Sequence, residues 1–217
     1  MIGFLLPFPG MGRVGVTIAV LAMCGLLVSA CGSGGSAAPE KASPAHVTAR
    51  VTTETVRIGP FTQIFDTSLP VDPAQANVVN GFRTAMILWD RSQEALRLVS
   101  PVTAYVTGRA LSGLKSSIVN TKAADVAPAG ADRFFTTRVT VISGTSATIT
   151  TCDDGSKFEE ANPNTGVPDP TYSAPANQQY LFETWQMTQV GSHWAISHVS
   201  PVTLPDPRAK PCQPLPA

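Results

Sequence analysis

Apolar positions recur along this chain at two different periods, and the change from one to the other divides it. In the first half the recurrence is helical: Val79, Phe82, Met86 and Trp89 fall on one face at three- and four-residue spacing. Asp72 stands where an N-cap belongs, Pro73 takes the first helical position, and Gln75 lies three residues past the cap, as in a capping box. Gly81 weakens such a helix by about 1 kcal/mol relative to alanine and marks a place for close packing. The apolar pattern runs on from Leu96 to Val99 before Pro101 stops it. A second helix is predicted from about Thr107 to Val119, presenting Ala110, Leu111, Leu114 and Ile118.

From Phe134 onward the period is two. Phe134 to Ile142 and Ala147 to Cys152 flank Ser143-Gly144-Thr145, a hairpin signal. A three-residue loop sets Val141 opposite Ala147 and Val139 opposite Ile149, joining apolar faces, whereas a two-residue loop pairs Val141 with Thr148; the former is favoured. Tyr180 to Val190 and His193 to Ser200 form a second hairpin about Gly191-Ser192. Its register sets Met187 against Ile196, Trp185 against His198 and Gln189 against Trp194. One face then carries Trp185, Met187, Trp194 and Ile196. Between these elements, Asn120 to Asp132 reads as loop, and Asp153 to Asn177, with four prolines and two glycines, as a long polar excursion. Residues 47–71, with a β-branched run from Val51 to Ile58 broken at Gly59-Pro60, read as an extended arm or edge strand. Residues 204–217 carry five prolines and read as an extended tail. Two helices ahead of a strand-rich half predict an α+β fold, with helices packed on one face of a curved antiparallel sheet.

The N-terminus belongs to neither pattern. Val14 to Val28 is apolar except for Thr17, and Arg13 precedes it. Fifteen such residues suit a signal-peptide core and fall short of the roughly 20 that span a bilayer. The run ends in Leu27-Val28-Ser29-Ala30-Cys31, which resembles the lipobox of bacterial lipoproteins. That resemblance implies cleavage after residue 30 and a diacylglycerol thioether on Cys31, holding the protein on the outer face of the cell membrane. An ordinary signal peptide or a short membrane anchor is the alternative, but Gly32 to Ser36 has no basic stop-transfer flank. Met11-Gly12-Arg13 would open a more ordinary signal than Met1 does, so Met11 stands beside Met1 as a candidate start. Residues 31–46, dominated by Gly, Ser, Ala and Pro, read as a flexible tether.

Composition then narrows the options. Without residues 1–30 the chain has 187 residues, enough for one domain with a real core. Its basic residues fall from 15 to 14 against 15 acidic ones, so the formal charge is −1. Such a chain lacks the basic footprint that nucleic acid or an anionic surface attracts, and nucleic acid is not expected as a partner. Cys24 leaves with the signal and Cys31 takes the lipid, so Cys152 and Cys212 remain as an even pair, expected to form a disulfide in an extracytoplasmic protein. Two separate thiols, or an incomplete metal site, are the alternatives. Only three histidines and no Cys-x-x-Cys accompany them, so neither metal nor cofactor is expected.

The order of elements carries a second resemblance. An aromatic first helix (Phe82 to Trp89) is followed by Tyr105-Val-Thr-Gly-Arg-Ala-Leu-Ser-Gly-Leu114, then Gly144-Thr-Ser-Ala-Thr-Ile-Thr-Thr-Cys-Asp153, then Trp185-Gln-Met-Thr-Gln-Val-Gly-Ser-His-Trp-Ala-Ile196. This order is similar to that of small Gram-positive lipoproteins with a cone-shaped nuclear-transport-factor-two-like fold, related in shape to ketosteroid isomerase and polyketide cyclases. It spans about residues 72–200 and implies a cone-shaped domain over 72–203, with any pocket on the concave face. The fold hosts enzymes, binding modules and inert scaffolds alike.

Candidate chemistry follows from that face. The hairpin register sets His198 across from Trp185 with Glu183 diagonal to it, a histidine and a carboxylate beside an apolar wall. Asp90, one turn past Met86, points either into the cone mouth or to solvent, where Arg91 or Arg83 could pair with it. Asp153-Asp154 and Glu159-Glu160 lack the alternating ligand spacing of a calcium loop and read as a solvated acidic turn. His193 is expected in solvent, and His46 lies in the tether. Phe82, Met86, Trp89, Trp185, Met187, Trp194 and Ile196 are expected to line the core or a pocket. No phosphate-binding loop, nucleophile elbow or His-Glu-x-x-His motif is present.

The expected function is therefore a non-catalytic, lipid-anchored domain that binds a small apolar ligand or docks to another envelope protein. The alternative is an isomerase, cyclase or dehydratase using Asp90, Glu183 or His198. A solute-importer binding component is a third reading that size disfavours, because 187 residues do not readily make two lobes around a ligand.

Overall fold

The stripe around Phe82 forms helix α1, Pro73–Glu94, and it begins as its cap dictates: the Asp72 carboxylate accepts the Ala74 N–H at 2.9 Å and Pro73 opens the first turn. In this computed structural model the described residues are 51–68, 72–169, 176 and 179–213. The expected leader (1–30), Cys31, the tether (31–46) and His46 lie outside them. Among the described residues no helix is long and apolar enough to cross a membrane.

α1 stops at Glu94 rather than running to Val99. Leu96 takes a left-handed φ of 50°, and the Ser92 hydroxyl accepts the Val99 N–H at 3.2 Å, so Leu98 and Val99 pack from a turn instead of a helix. A short helix α2, Val102–Tyr105, precedes α3, Gly108–Ala124. Asp125 ends α3 in the left-handed conformation at φ 54°.

Six strands form one sheet in sequential order: β1 Val51–Ile58, β2 Phe61–Ser68, β3 Ala127–Ser143, β4 Ser146–Ala161, β5 Tyr180–Val190 and β6 His193–Val202. Every neighbouring pair is antiparallel except β2 and β3, which run parallel because the helices form the crossover between them. The architecture is α+β, with α1 and α3 against the sheet. Within the expected arm, residues 51–68 are a hairpin that extends the sheet.

Three local expectations are corrected. β3 begins at Ala127 and includes Pro128 and Gly130, which the sequence places in a loop. Pairing on both sides overrides their low strand propensity, and Gly130 is needed there because any β-carbon would collide with the Lys157 carbonyl oxygen. β4 runs on to Ala161, so the first part of the polar excursion is strand, not solvated turn. The β3–β4 loop has two residues, Gly144-Thr145, with Ser143 opposite Ser146 and Val141 opposite Thr148. A bulge at Thr140 then restores Val139 opposite Ile149. The hairpin tip leaves Val141 54% exposed, so burial exerts no pull on its register.

The core sits between α1 and the sheet. Gly81 lies against β6, where an added β-carbon would come within 2.6 Å of Trp194 Cβ and 2.7 Å of its carbonyl oxygen. Phe82 packs edge-on to Trp185 at 5.4 Å and to Phe134 at 5.8 Å, and Phe134 stacks on Phe65 at 5.6 Å. Cys152 of β4 is bonded to Cys212 across 60 residues. The tail is thereby held against β4 and β5 as a short 3-10 helix, Pro207–Cys212, rather than as an extended chain.

Candidate functional site

Alternate residues of adjacent strands face α1, and along that face the chemistry changes from aromatic to acidic. On β2 the buried positions are Phe61, Gln63 and Phe65. The parallel register sets Gln63 beside Asp132 and Phe65 beside Phe134. Across β3, Asp153 of β4 lies opposite Phe134, and Glu183 of β5 lies opposite Thr151. α1 contributes Asp90, one turn past Met86. Asp90, Asp153 and Glu183 are 8%, 8% and 7% exposed, Gln63 is fully buried, and Asp132 is partly exposed.

The contacts within this group are few. Gln63 Nε2 donates to Asp90 Oδ2 at 2.6 Å, and Trp185 Nε1 donates to Glu183 Oε2 at 3.1 Å. Asp132 accepts the Arg133 N–H at 3.1 Å and a hydrogen bond from the Asp153 carboxyl. Gln63 Oε1 and Asp153 Oδ1 are buried without a hydrogen-bond partner. Arg83 pairs with Glu54 and Arg133 with Asp66, so among the described residues no Lys, Arg or His pairs with any of the four acids.

No counter-charge pairs with these four carboxyls among the described residues, and burial raises the proton affinity of each. Burial, then the Asp132 and Trp185 contacts acting in opposite directions, push Glu183 up to about 8. Burial, reinforced by the Asp132 charge, raises Asp90 well above the usual carboxylate range. Asp153 is raised well above it by burial and by Asp132, and it keeps the proton that it donates to Asp132. Burial raises Asp132 as well, opposed by its hydrogen bonds from Asp153 and the Arg133 N–H. The group can therefore store protons, exchange them, or be neutralised by a cationic guest. Among the described residues no three acids, histidines or cysteines converge closely enough to hold a metal ion.

Of the residues singled out from sequence, Asp90 and Glu183 come together here, and His198 does not. The β5–β6 register follows expectation at Met187–Ile196 and Gln189–Trp194, but Ser197 is an extra residue in β6, hydrogen-bonded to the Gln186 carbonyl at 3.0 Å. That bulge places His198 opposite Gln186 and brings Val199 opposite Trp185. His198 therefore leaves the inner face and shares a 3.1 Å hydrogen bond with Ser200. His193 is not solvated: it bonds to the Ala104 carbonyl at 3.0 Å and lies 4.5 Å from the Tyr105 ring.

Phe82, Met86, Trp185, Met187, Trp194 and Ile196 are all buried in one core cluster, whereas Trp89 is half-buried toward α3 near Gly113. Gln63, Asp132 and Asp153 are the members that sequence reasoning does not select. The alternation Phe61-x-Gln63-x-Phe65 is a legible signal for a buried amide; nothing comparable marks Asp132.

No family model matches the sequence, and no curated protein is significantly similar to it. Solved structures similar to the chain include a ketosteroid isomerase-like protein from Erwinia carotovora atroseptica, at 14% identity and a TM-score of 0.37, covering 61% of this chain and 98% of its own. A nuclear-transport-factor-two-like protein with a cystatin-like fold from Novosphingobium aromaticivorans is 11% identical with a TM-score of 0.39, covering 64% and 90%. The intermembrane space region of the chloroplast protein ARC6 is 12% identical with a TM-score of 0.35, covering 57% and 95%.

Proposed function

We propose that this chain is a small lipoprotein of the Gram-positive type, held outside the cell membrane on Cys31, whose folded domain is a non-catalytic module binding a small ligand between α1 and the sheet. One observation carries the binding reading: Gln63 Oε1 and Asp153 Oδ1 are buried without partners at the acidic end of the inner face. An unpaired buried acceptor costs about 1–3 kcal/mol, a penalty that a donor-bearing guest would remove. The aromatic end is filled by Phe82, Phe134 and Trp185, which directs any guest to the polar end.

Native mass spectrometry of the full chain extracted from its own membranes tests this reading. A small molecule should accompany the native protein and be lost from Asp153→Asn; a bare native protein would count against binding. Anchoring is tested separately. Cys31→Ser should move the protein from the membrane to the soluble fraction, and continued membrane retention would remove the lipoprotein reading.

A second reading, an acid–base enzyme of the isomerase, cyclase or dehydratase type, is favoured by the same group. Glu183, pushed up to about 8 by burial and the neighbouring Asp132, is suited to moving protons near neutral pH, and Asp153 and Asp90 are raised in the same direction. On that reading the acid–base residues are Asp90 and Glu183, without His198.

A further inference from the structure

Two hairpin turns at one end of the sheet are apolar, free of acids and clear of neighbouring groups. Among the described residues five large hydrophobic side chains are exposed, and three of them are here. Val141 and Ile142 flank the Gly144-Thr145 turn and Val190 flanks Gly191-Ser192, at 54%, 38% and 37% exposure. The turns are neighbours, joined by the Gln189 N–H donating to the Thr145 carbonyl at 2.8 Å. Ile142 lies opposite Ala147, which is buried on the inner face, and Val141 lies opposite Thr148, so apolar side chains border the tip on both sides. A β-carbon added at Gly144 or Gly191 would meet nothing within 4 Å. The chain has no acid from Arg133 to Cys152 or from Thr184 to Pro205. The acids of β4, Asp153, Asp154, Glu159 and Glu160, all lie in its later half, toward the opposite end.

The topology relates these tips to the N-terminal segment. β2 runs parallel to β3, so Ser68 and its partner Val51 lie toward the end of the sheet at which β3 turns. The chain therefore enters the domain at the end that carries the tips. β3 continues from Phe134 to Ser143 after its last pair with β2, whereas β2 continues only from Phe65 to Ser68, so the tips project beyond the point of entry. Only twenty residue steps separate Cys31 from Val51, a reach of at most about 70 Å. Asp72, which follows β2 at this end, is held as the cap of α1.

We propose that the two tips dock on the bilayer that carries the anchor, with Val141, Ile142 and Val190 entering its headgroup region. The proposal rests on the anchoring reading above and adds the face that the domain turns to the membrane. Three aliphatic side chains bury little area and hold a protein weakly by themselves. The covalent anchor supplies the high local concentration at which so weak a contact is occupied. Tips without carboxylates meet anionic headgroups without repulsion, and this orientation keeps Glu159 and Glu160 away from them.

Depth-dependent quenching on the full mature chain, purified with its lipid and reconstituted in phosphatidylcholine–phosphatidylglycerol vesicles, tests this. A fluorophore is attached at Ile142→Cys, at Val190→Cys or at Val167→Cys, the last an exposed apolar position in the loop after β4, at the other end of the sheet. Nitroxides on the lipid acyl chains should quench the label at 142 and at 190 about twofold or more more strongly than at 167. Val141→Asp combined with Val190→Asp should reduce quenching at 142 to the level at 167, with the protein still on the vesicles. Equal quenching at all three positions, in a protein whose N-terminal peptide carries diacylglycerol by mass spectrometry, would overturn the docking and leave the anchor standing. A label at 142 shielded from aqueous iodide yet untouched by the lipid nitroxides would put a protein partner on the tips and overturn the membrane as their occupant. An N-terminal peptide without diacylglycerol would overturn the anchor and the docking together.

Discussion

Glu183 shows how much a single position depends on what surrounds it. In the chain it is one acid between Phe182 and Thr184; in the fold it is buried near Asp132 and Asp153, and its affinity for a proton rises to about 8. The linkage has a definite sign. The unfolded chain releases this proton near the ordinary glutamate value and the folded chain does so near 8, so between those values the folded state binds more protons. Stability is therefore fullest in mild acid and declines as pH rises to about 8, with a slope of up to about 1.4 kcal/mol per pH unit from this group alone. Asp90 and Asp153, shifted in the same direction, add to the decline. Glu183→Gln removes one contribution. Its urea midpoint should exceed that of the native protein at pH 8 and 9 and approach it near pH 5; a midpoint lower at every pH would contradict the protonated state assigned here.

At the scale of elements, the meeting of α1 with β6 is set by the missing side chain at Gly81. Alanine would favour the isolated helix by about 1 kcal/mol, yet its methyl would overlap Trp194 Cβ and the Trp194 carbonyl oxygen. Gly81→Ala should accordingly destabilise the protein by about 1–3 kcal/mol in denaturant titration. A stabilised variant would show that α1 sits farther from β6. The second element-level feature is the bulge at Ser197. Strand alternation alone predicts that His198 follows Trp194 and Ile196 on the inner face, and one inserted residue sends it to the other side. That single insertion takes the histidine away from the acids and leaves the site entirely carboxyl and amide.

For the molecule as a whole, the decisive constraint is the Cys152–Cys212 bond, which closes 60 residues of chain and pins the tail to the back of β4 and β5. Reduction should lower stability by about 4 kcal/mol in the chain-entropy account, read as a fall in the urea midpoint on adding a reductant. An unchanged midpoint would mean that the tail contributes nothing to the folded state. The same bond holds Cys152 on the face of β4 opposite Asp153, so the strand that closes the back of the sheet also carries an acid into its interior.

The sequence by itself determined what depends on neighbours along the chain. The cap at Asp72 and Pro73, the stripe through Phe82 and Met86, the close contact at Gly81, the apolar β5–β6 face and the pairing of the two remaining cysteines are all written in spacing or in counting, because helix and strand periods and caps are local properties. Asp90 and Glu183 were visible as candidates for the same reason, each lying at an apolar element's own spacing. Only the tertiary structure decided that these two acids meet Asp132, Asp153 and Gln63, which come from strands up to 120 residues away in the chain. Nor could local pattern show the bulges at Thr140 and Ser197, or the strand that runs through Pro128 and Gly130, because these follow from pairing energy on both sides of a strand. An acid's protonation state follows from the charges around it, and those charges are assembled only when the sheet closes on α1.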